Sequence, residues 1–276
     1  MSTQTYLKLH DGHKIPQLGF GTWQTPNDVA PGAVRAAIEA GYRSIDTAAI
    51  YENETGTGEG IRQSGVPREQ LYITTKLWND DQGFDTTLRA FDESLKRLKL
   101  DAVDLYLIHW PKPRADKYAD TWRALVKIKE SGRAKSIGVS NFSIQHLQRL
   151  FDEVGVIPTV NQIELHPRFQ QKELREFHAQ NGILTESWSP LGQGTILKDP
   201  TIGAIAQKHG KSPAQVIIRW HIDSGLLVIP KSVTASRIRE NFDVFDFTLD
   251  ADDLVQIGGL DTPAGRIGPD PETAPF

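Results

Sequence analysis

The chain has no cysteine, so it can carry no disulfide framework, no thiolate nucleophile and no Cys-ligated zinc. Nor does it have an apolar run approaching the ~20 residues needed to span a bilayer. The opening MSTQTYLKLHDGHKIPQ lacks both the basic n-region and the apolar h-region of a secretory signal. Charge of one sign is not in excess: the net charge is -4 and the basic residues are dispersed, which gives no electrostatic footprint for nucleic acid. There are 8 histidines, but none stands in an H-x-H pair, and no ligand cluster for a catalytic metal is visible. These absences leave a cytoplasmic protein as the expectation, with no nucleic-acid, membrane or metal partner.

What is present fits one α/β domain over residues 1–276. With 38% hydrophobic and 24% charged residues, the chain is long enough to bury its own core. Short apolar runs read as eight strands: LGFG from Leu18, SID to Asp46, LYITTK from Leu71 to Lys76, VDLYLIH from Val103 to His109, AKSIGVS from Ala134 to Ser140, TVNQIEL from Thr159 to Leu165, LTESW from Leu184 to Trp188, and LLVIPKS from Leu226 to Ser232. Between them lie amphipathic stretches such as VAPGAVRAAIEAG and QKELREFHAQNG, several closed by glycine. Eight β units alternating with helices, in a chain slightly longer than the typical ~250 residues, predict a (β/α)8 TIM barrel.

Two departures from the repeat are expected. YLKLHDGHKIPQ has two extended segments about Asp11-Gly12 and reads as a hairpin plugging the N-terminal end of the barrel. Two additional helices are predicted, one between Trp188 and Lys231 and one at LDADDLVQIGGL. In the first of these intervals Ser212 is the N-cap, and Pro213 the first helical residue, of one of two helical patterns. The Pro/Gly-rich tail DTPAGRIGPDPETAPF reads as a loop over the barrel mouth.

Four polar residues then stand out. Asp46, Lys76 and His109 each close a predicted strand, and Tyr51 follows in the loop after the first. Catalytic residues of such barrels lie at the C-terminal strand ends. Each of the four has an ordinary structural alternative: a helix N-cap, a packing tyrosine, a solvated lysine, a satisfied core histidine. Their coincidence at successive strand ends is what argues for a site able to deliver a proton to a carbonyl oxygen.

GYRSIDTAAIYENE, ITTKLW, LYLIHWP, IGVSNF, NQIELHP and IPKSVTASRIREN, in that order, resemble the aldo-keto reductases, in particular bacterial members similar to 2,5-diketo-D-gluconate reductase. The resemblance covers essentially the whole chain; one departure is Thr57, where the family pattern has an aliphatic residue. It implies that Tyr51 is the general acid of carbonyl reduction, assisted by Lys76, Asp46 and His109. A free phenol has a pKa of about 10, and an ammonium within ~4–6 Å can lower it by roughly 1–3. Asp46 would keep Lys76 charged despite burial, and His109 would orient the carbonyl oxygen.

The hydride must come from a cofactor, since no side chain supplies one. GTGEG resembles a fragment of a dinucleotide loop but lacks the full spacing and a Rossmann unit around it, so Gly56, Gly58 and Gly60 read as packing glycines. By resemblance, Ser140, Asn141 and Gln162 bind the nicotinamide carboxamide and Trp188 stacks on the ring. Ser189, Leu191, Gln193 and Gly194 follow the pyrophosphate; Ile229, Lys231, Ser232, Val233, Thr234, Arg237, Glu240 and Asn241 hold the adenosine end. Two cations and a hydroxyl at Lys231, Arg237 and Ser232 suit the 2′-phosphate of NADPH. Their structural alternative is a solvated basic edge.

Phe20, Trp23, Trp78 and Trp110 are placed by the same resemblance around a carbonyl pocket, together with His109. Aldehydes, α-dicarbonyls and 2,5-diketogluconate-like ketosugars are all compatible with aromatic walls, and a monomer is implied. Two other readings stay open: a Schiff-base lyase using Lys76, and a non-catalytic NADPH-binding regulator.

Overall fold

The computed structural model describes residues 4–276. The chain opens with an antiparallel hairpin, β1 (Tyr6–Lys8) and β2 (Lys14–Pro16), whose turn uses Gly12 at φ +96°, a conformation open to glycine without strain. Eight parallel strands follow in chain order: β3 (Phe20–Gly21), β4 (Ser44–Asp46), β5 (Tyr72–Leu77), β6 (Val103–Ile108), β7 (Ala134–Ser140), β8 (Val160–Glu164), β9 (Leu184–Trp188) and β10 (Leu227–Val228). A parallel bridge between Leu18 and Val228 brings the first unit against the last, supported by Gly19 N donating to Val228 O at 2.9 Å.

β7 and β9 have the predicted bounds, whereas β10 is far shorter than LLVIPKS suggests. Pro230 has no N–H to continue a ladder, and beyond Val228 the chain pairs by single bonds, including Gly21 N to Pro230 O at 3.1 Å.

Helices α1 (Ala30–Ala40), α2 (Glu54–Gln63), α3 (Phe84–Leu98), α4 (Tyr118–Glu130), α5 (Ile144–Val154), α6 (Lys172–Gln180), α7 (Pro200–His209), α8 (Pro213–Asp223), α9 (Ala235–Phe242) and α10 (Ala251–Gly258) surround the strands. Two helices, α7 and α8, fill the interval between β9 and β10, and α10 follows the last unit. Ser212 caps α8 with a reciprocal bond pair to Gln215. No helix among the described residues is long and apolar enough to cross a membrane.

Strand alternation sorts the core into two layers. Outward residues such as Ile45, Ile73 and Tyr106 pack with Ala37, Phe91 and Trp122 of the helices. At the barrel floor, Leu9 and Ile15 of the hairpin close on Tyr72, Leu105, Leu107, Val160 and Leu227, so the hairpin is the expected plug. The GTGEG glycines lie within α2 as packing residues: a Cβ at Gly56 would fall 2.1 Å from Asn27 O, and one at Gly58 2.1 Å from Leu98 O. Thr57 is buried in the same helix.

Candidate active site

Asp46 ends β4 and pairs in register with Thr74, which puts Lys76 two residues further along β5 on the same inward face. Tyr51 ends a short 3-10 turn, Ala49–Tyr51. The loop carrying that turn is fastened by Asn53, whose Nδ2 donates to Thr22 O at 2.8 Å and Thr25 O at 2.9 Å, while Thr47 Oγ1 donates to Asn53 Oδ1 at 2.8 Å. A fully satisfied buried amide fixes the entry of the chain toward Tyr51.

These elements bring the quartet together. Lys76 Nζ donates to Asp46 Oδ1 at 2.5 Å, to Thr47 O at 2.9 Å and to Tyr51 Oη at 3.3 Å. His109 lies edge-on to Tyr51, with ring centroids 5.6 Å apart. Its Nδ1 is buried without a partner among the described residues.

The electrostatics keep Lys76 charged. Burial alone would depress its pKa, but the Asp46 carboxylate and the Tyr51 oxygen outweigh that and leave it raised. Burial, reinforced by the Lys76 charge, pushes His109 well below the ordinary histidine range, so its imidazole is neutral. Tyr51 departs from the expected fall: burial pushes the phenol up, Lys76 pulls it down only in part, and Asp46 and Glu186 add to the rise. The ammonium moderates the phenol without bringing it below its ordinary value, because burial outweighs it and the two carboxyl groups add to the rise.

Of the aromatic residues, Trp78 lies edge-on to His109 at 5.3 Å, and both Trp78 and Trp110 pack on Phe276, at 5.5 and 5.1 Å. Trp23 stands in the loop after β3 and is exposed. Phe20 does not join them. It pairs with Ile45 on the outward face, is buried, and packs edge-on against Tyr42 at 5.8 Å; strand alternation sends it into the barrel–helix layer.

Around the neighbouring strand ends, Ser140, Asn141, Gln162 and Trp188 form one bonded group. Ser140 Oγ donates to Gln162 O at 2.8 Å, Asn141 Nδ2 to His109 O at 3.0 Å, and Trp188 Nε1 to Asn141 Oδ1 at 2.8 Å. Gln162 Nε2 donates to both Asp46 Oδ2 at 2.9 Å and Glu186 Oε2 at 2.8 Å. Ser189, Gln193 and Gly194 are left-handed, at φ +48°, +51° and +88°; they and Leu191 make an irregular turn of the kind that gathers backbone N–H groups.

The remaining residues lie beyond β10 and on α9. Ile229 and Asn241 are buried, Lys231 and Ser232 half-buried, and Val233, Thr234, Arg237 and Glu240 exposed. Lys231 Nζ donates to Gln24 O at 3.2 Å, and partial burial lowers its pKa.

Sequence reasoning named the tail as a cover but missed how it is held. Glu164 accepts from Ile267 N at 2.6 Å and Gly268 N at 2.8 Å, which brings Gly268 against Trp188; a Cβ there would fall 2.5 Å from Trp188 Cη2. It also missed Glu186. The signal was available, since Glu186 and Trp188 share one face of LTESW.

The sequence profile of the Aldo/keto reductase family matches residues 17–262. An aldo-keto reductase of Mycolicibacterium smegmatis is 57% identical over 270 residues, covering 98% of each chain. Methylglyoxal reductase DkgA of Escherichia coli is 54% identical over 274 residues, 99% of this chain and 98% of its own. The crystal structure of Gox0644 in its apo form matches with a TM-score of 0.96 at 55% identity, over 99% of this chain and 100% of that one; a mutant of Gox0644 in complex with NADPH matches with the same score. In sequence over nearly its whole length, and in fold, the chain belongs to the aldo/keto reductase family of enzymes.

Proposed function

We propose that this protein reduces small aldehydes and ketones with NADPH, that Tyr51 is the general acid, and that α-dicarbonyls such as methylglyoxal are its substrate class. The observation that carries the reading is the contact of Lys76 Nζ with both Asp46 and Tyr51 beside a neutral His109. The substrate class draws support from relatives named methylglyoxal reductase and from the small aromatic wall of Trp78, Trp110 and Phe276.

The chain has groups suited to the cofactor. Gln162 commits its amide nitrogen to two carboxyl groups, which leaves Oε1 to accept from a carboxamide. Trp188 is held by its Nε1, so its face is a fixed stacking platform. The left-handed turn after Trp188 suits a pyrophosphate, and Lys231, Ser232 and Arg237 suit a 2′-phosphate. NADPH, when bound, supplies the hydride that reaches the carbonyl carbon.

The protein's own part is to hold the carbonyl oxygen and to protonate it. Neutral His109 donates a hydrogen bond that orients the oxygen. As negative charge develops there, Tyr51 Oη gives up its proton and Lys76 stabilises the phenolate that remains. Asp46 keeps Lys76 cationic throughout. Solvent then returns a proton to Tyr51, so that one hydride and one proton have been added to the carbonyl.

Loss of NADPH absorbance against a panel of simple aldehydes, α-dicarbonyls, ketosugars and 2,5-diketogluconate tests the reading. Rapid oxidation with methylglyoxal, and much slower turnover with NADH, is expected. A chain that oxidises no NADPH with any carbonyl, or whose Lys76 is trapped on substrate by borohydride, would be a binding protein or a Schiff-base lyase instead.

A further inference from the structure

The reaction as described leaves one buried acid without a role. Glu186 sits in the middle of β9, in register with Gln162 of β8 and Leu227 of β10, and only 3% of it is exposed. The single nitrogen of the Gln162 side chain donates to Glu186 Oε2 at 2.8 Å and to Asp46 Oδ2 at 2.9 Å. Both carboxyl groups therefore lie within hydrogen-bond reach of one atom, and of the two only Asp46 is bonded to the cation Lys76.

We propose that Glu186 is a positioning residue of this reductase: a protonatable carboxyl, tied to Asp46 through the Gln162 amide, whose charge state sets how readily Tyr51 releases its proton. The inference rests on the reduction proposed above.

Two carboxylates this close cannot both ionise freely in a buried site. Asp46 has Lys76 for a counter-ion and Glu186 has none, so the shared proton resides on Glu186. Burial and the Asp46 charge push the Glu186 carboxyl up to about 7, with the Gln162 bond and Lys76 opposing. The other titratable groups facing it are Tyr72 and Lys76 from β5 and Asp46 from β4, with Tyr51 beyond. On its other side Glu186 pairs in register with Leu227 of β10, which does not titrate.

The consequence for Tyr51 follows from charge. With Glu186 protonated, the Asp46–Lys76–Glu186 group is neutral, and the phenolate meets no net negative charge. With Glu186 ionised the group carries one negative charge and holds the Tyr51 proton more tightly. That difference in charge, felt through a partly transferred proton, is expected to change the reduction rate by a factor of roughly three to ten. The Gln162 bridge transmits the same change mechanically, because Gln162 bonds more strongly to whichever carboxyl is ionised.

Infrared spectroscopy and a pH profile test this together. The difference spectrum between wild type and Glu186→Gln at pH 6 should contain the C=O stretch of a protonated carboxylic acid, fading as the pH rises through about 7. Should the variant not fold, the same band is read in the wild type, where 13C-labelled glutamate shifts it. In NADPH-dependent reduction, kcat of the wild type should fall roughly three- to tenfold between about pH 5 and pH 9, whereas Glu186→Gln stays level with KM changed less than about twofold. Carboxylate bands alone at pH 6, or superimposable profiles, would overturn the proposal. A wild type that reduces no carbonyl but shows the protonated band would bring down the reaction and the effect on Tyr51, and leave only the buried acid standing.

Discussion

Lys76 Nζ meets Asp46 Oδ1 at 2.5 Å with the two side chains 0% and 3% exposed. A buried ion pair adds little net stability when whole, but removing one partner strands the other and costs about 3–5 kcal/mol. Asp46→Ala should therefore lower stability by that order and abolish reduction together, as read by urea unfolding and NADPH oxidation. Asp46→Asn combined with Lys76→Met should recover much of the stability and none of the activity. Destabilisations that simply add would show that the pair is not energetically coupled.

Arg237 is exposed on α9, so its loss leaves the core intact. If it meets the 2′-phosphate, Arg237→Ala should raise KM for NADPH by about tenfold, in line with the ~1.5–3 kcal/mol of a hydrogen bond to a charged group, and leave KM for NADH within twofold. Initial rates with each cofactor decide it. An equal rise for both would move Arg237 away from the phosphate.

Phe276 bridges Trp78 and Trp110 at the mouth of the site. An aromatic pair is worth about 0.5–1.5 kcal/mol beyond its area. Phe276→Ala should raise KM for methylglyoxal by roughly two- to tenfold while kcat and thermal stability barely change. A fall in kcat with KM unchanged would place Phe276 in the chemical step instead.

Glu186 also makes stability depend on pH. Unfolded, its carboxyl titrates near the ordinary glutamate value of about 4.3; folded, it titrates near 7. Over that window the native protein holds a proton that the unfolded chain releases, so this contribution is intact at low pH and is lost as the pH rises through 7. Glu186→Gln removes the dependence. Its Tm should exceed that of the wild type by several degrees at pH 8, at roughly 2–4 °C per kcal/mol, and by much less at pH 5. A constant difference across that range would mean that Glu186 is ionised in both states.

Much of this was legible in the sequence, for reasons that differ by element. Asp46, Lys76 and His109 stand out in the sequence because parallel buried strands are near-continuous apolar runs, and a polar residue at their end is conspicuous. The hairpin was found from Asp11-Gly12, whose turn chemistry is local. Phe20 was misplaced because a strand of two residues gives no alternation from which to read its face; only pairing with Ile45 fixes it. Glu164, Glu186 and Phe276 were missed for the opposite reason. Their roles arise from partners more than 100 residues away in the chain, as with Glu164 and Gly268, or from a third residue that bridges them, as Gln162 does for Asp46 and Glu186. The rise in the Tyr51 pKa was missed with them, because it comes first from burial of the phenol, which only the folded barrel sets, with Asp46 and Glu186 adding to it.

Tyr51, tuned by Lys76, is the proposed proton donor to the carbonyl oxygen. The most direct test of that role is the steady-state reduction of methylglyoxal by Tyr51→Phe, with NADPH binding followed in parallel through quenching of the tryptophan fluorescence. Loss of the general acid should lower kcat by about 100-fold or more, while the dissociation constant for NADPH stays within about twofold. A variant that keeps even a tenth of wild-type turnover would contradict the account.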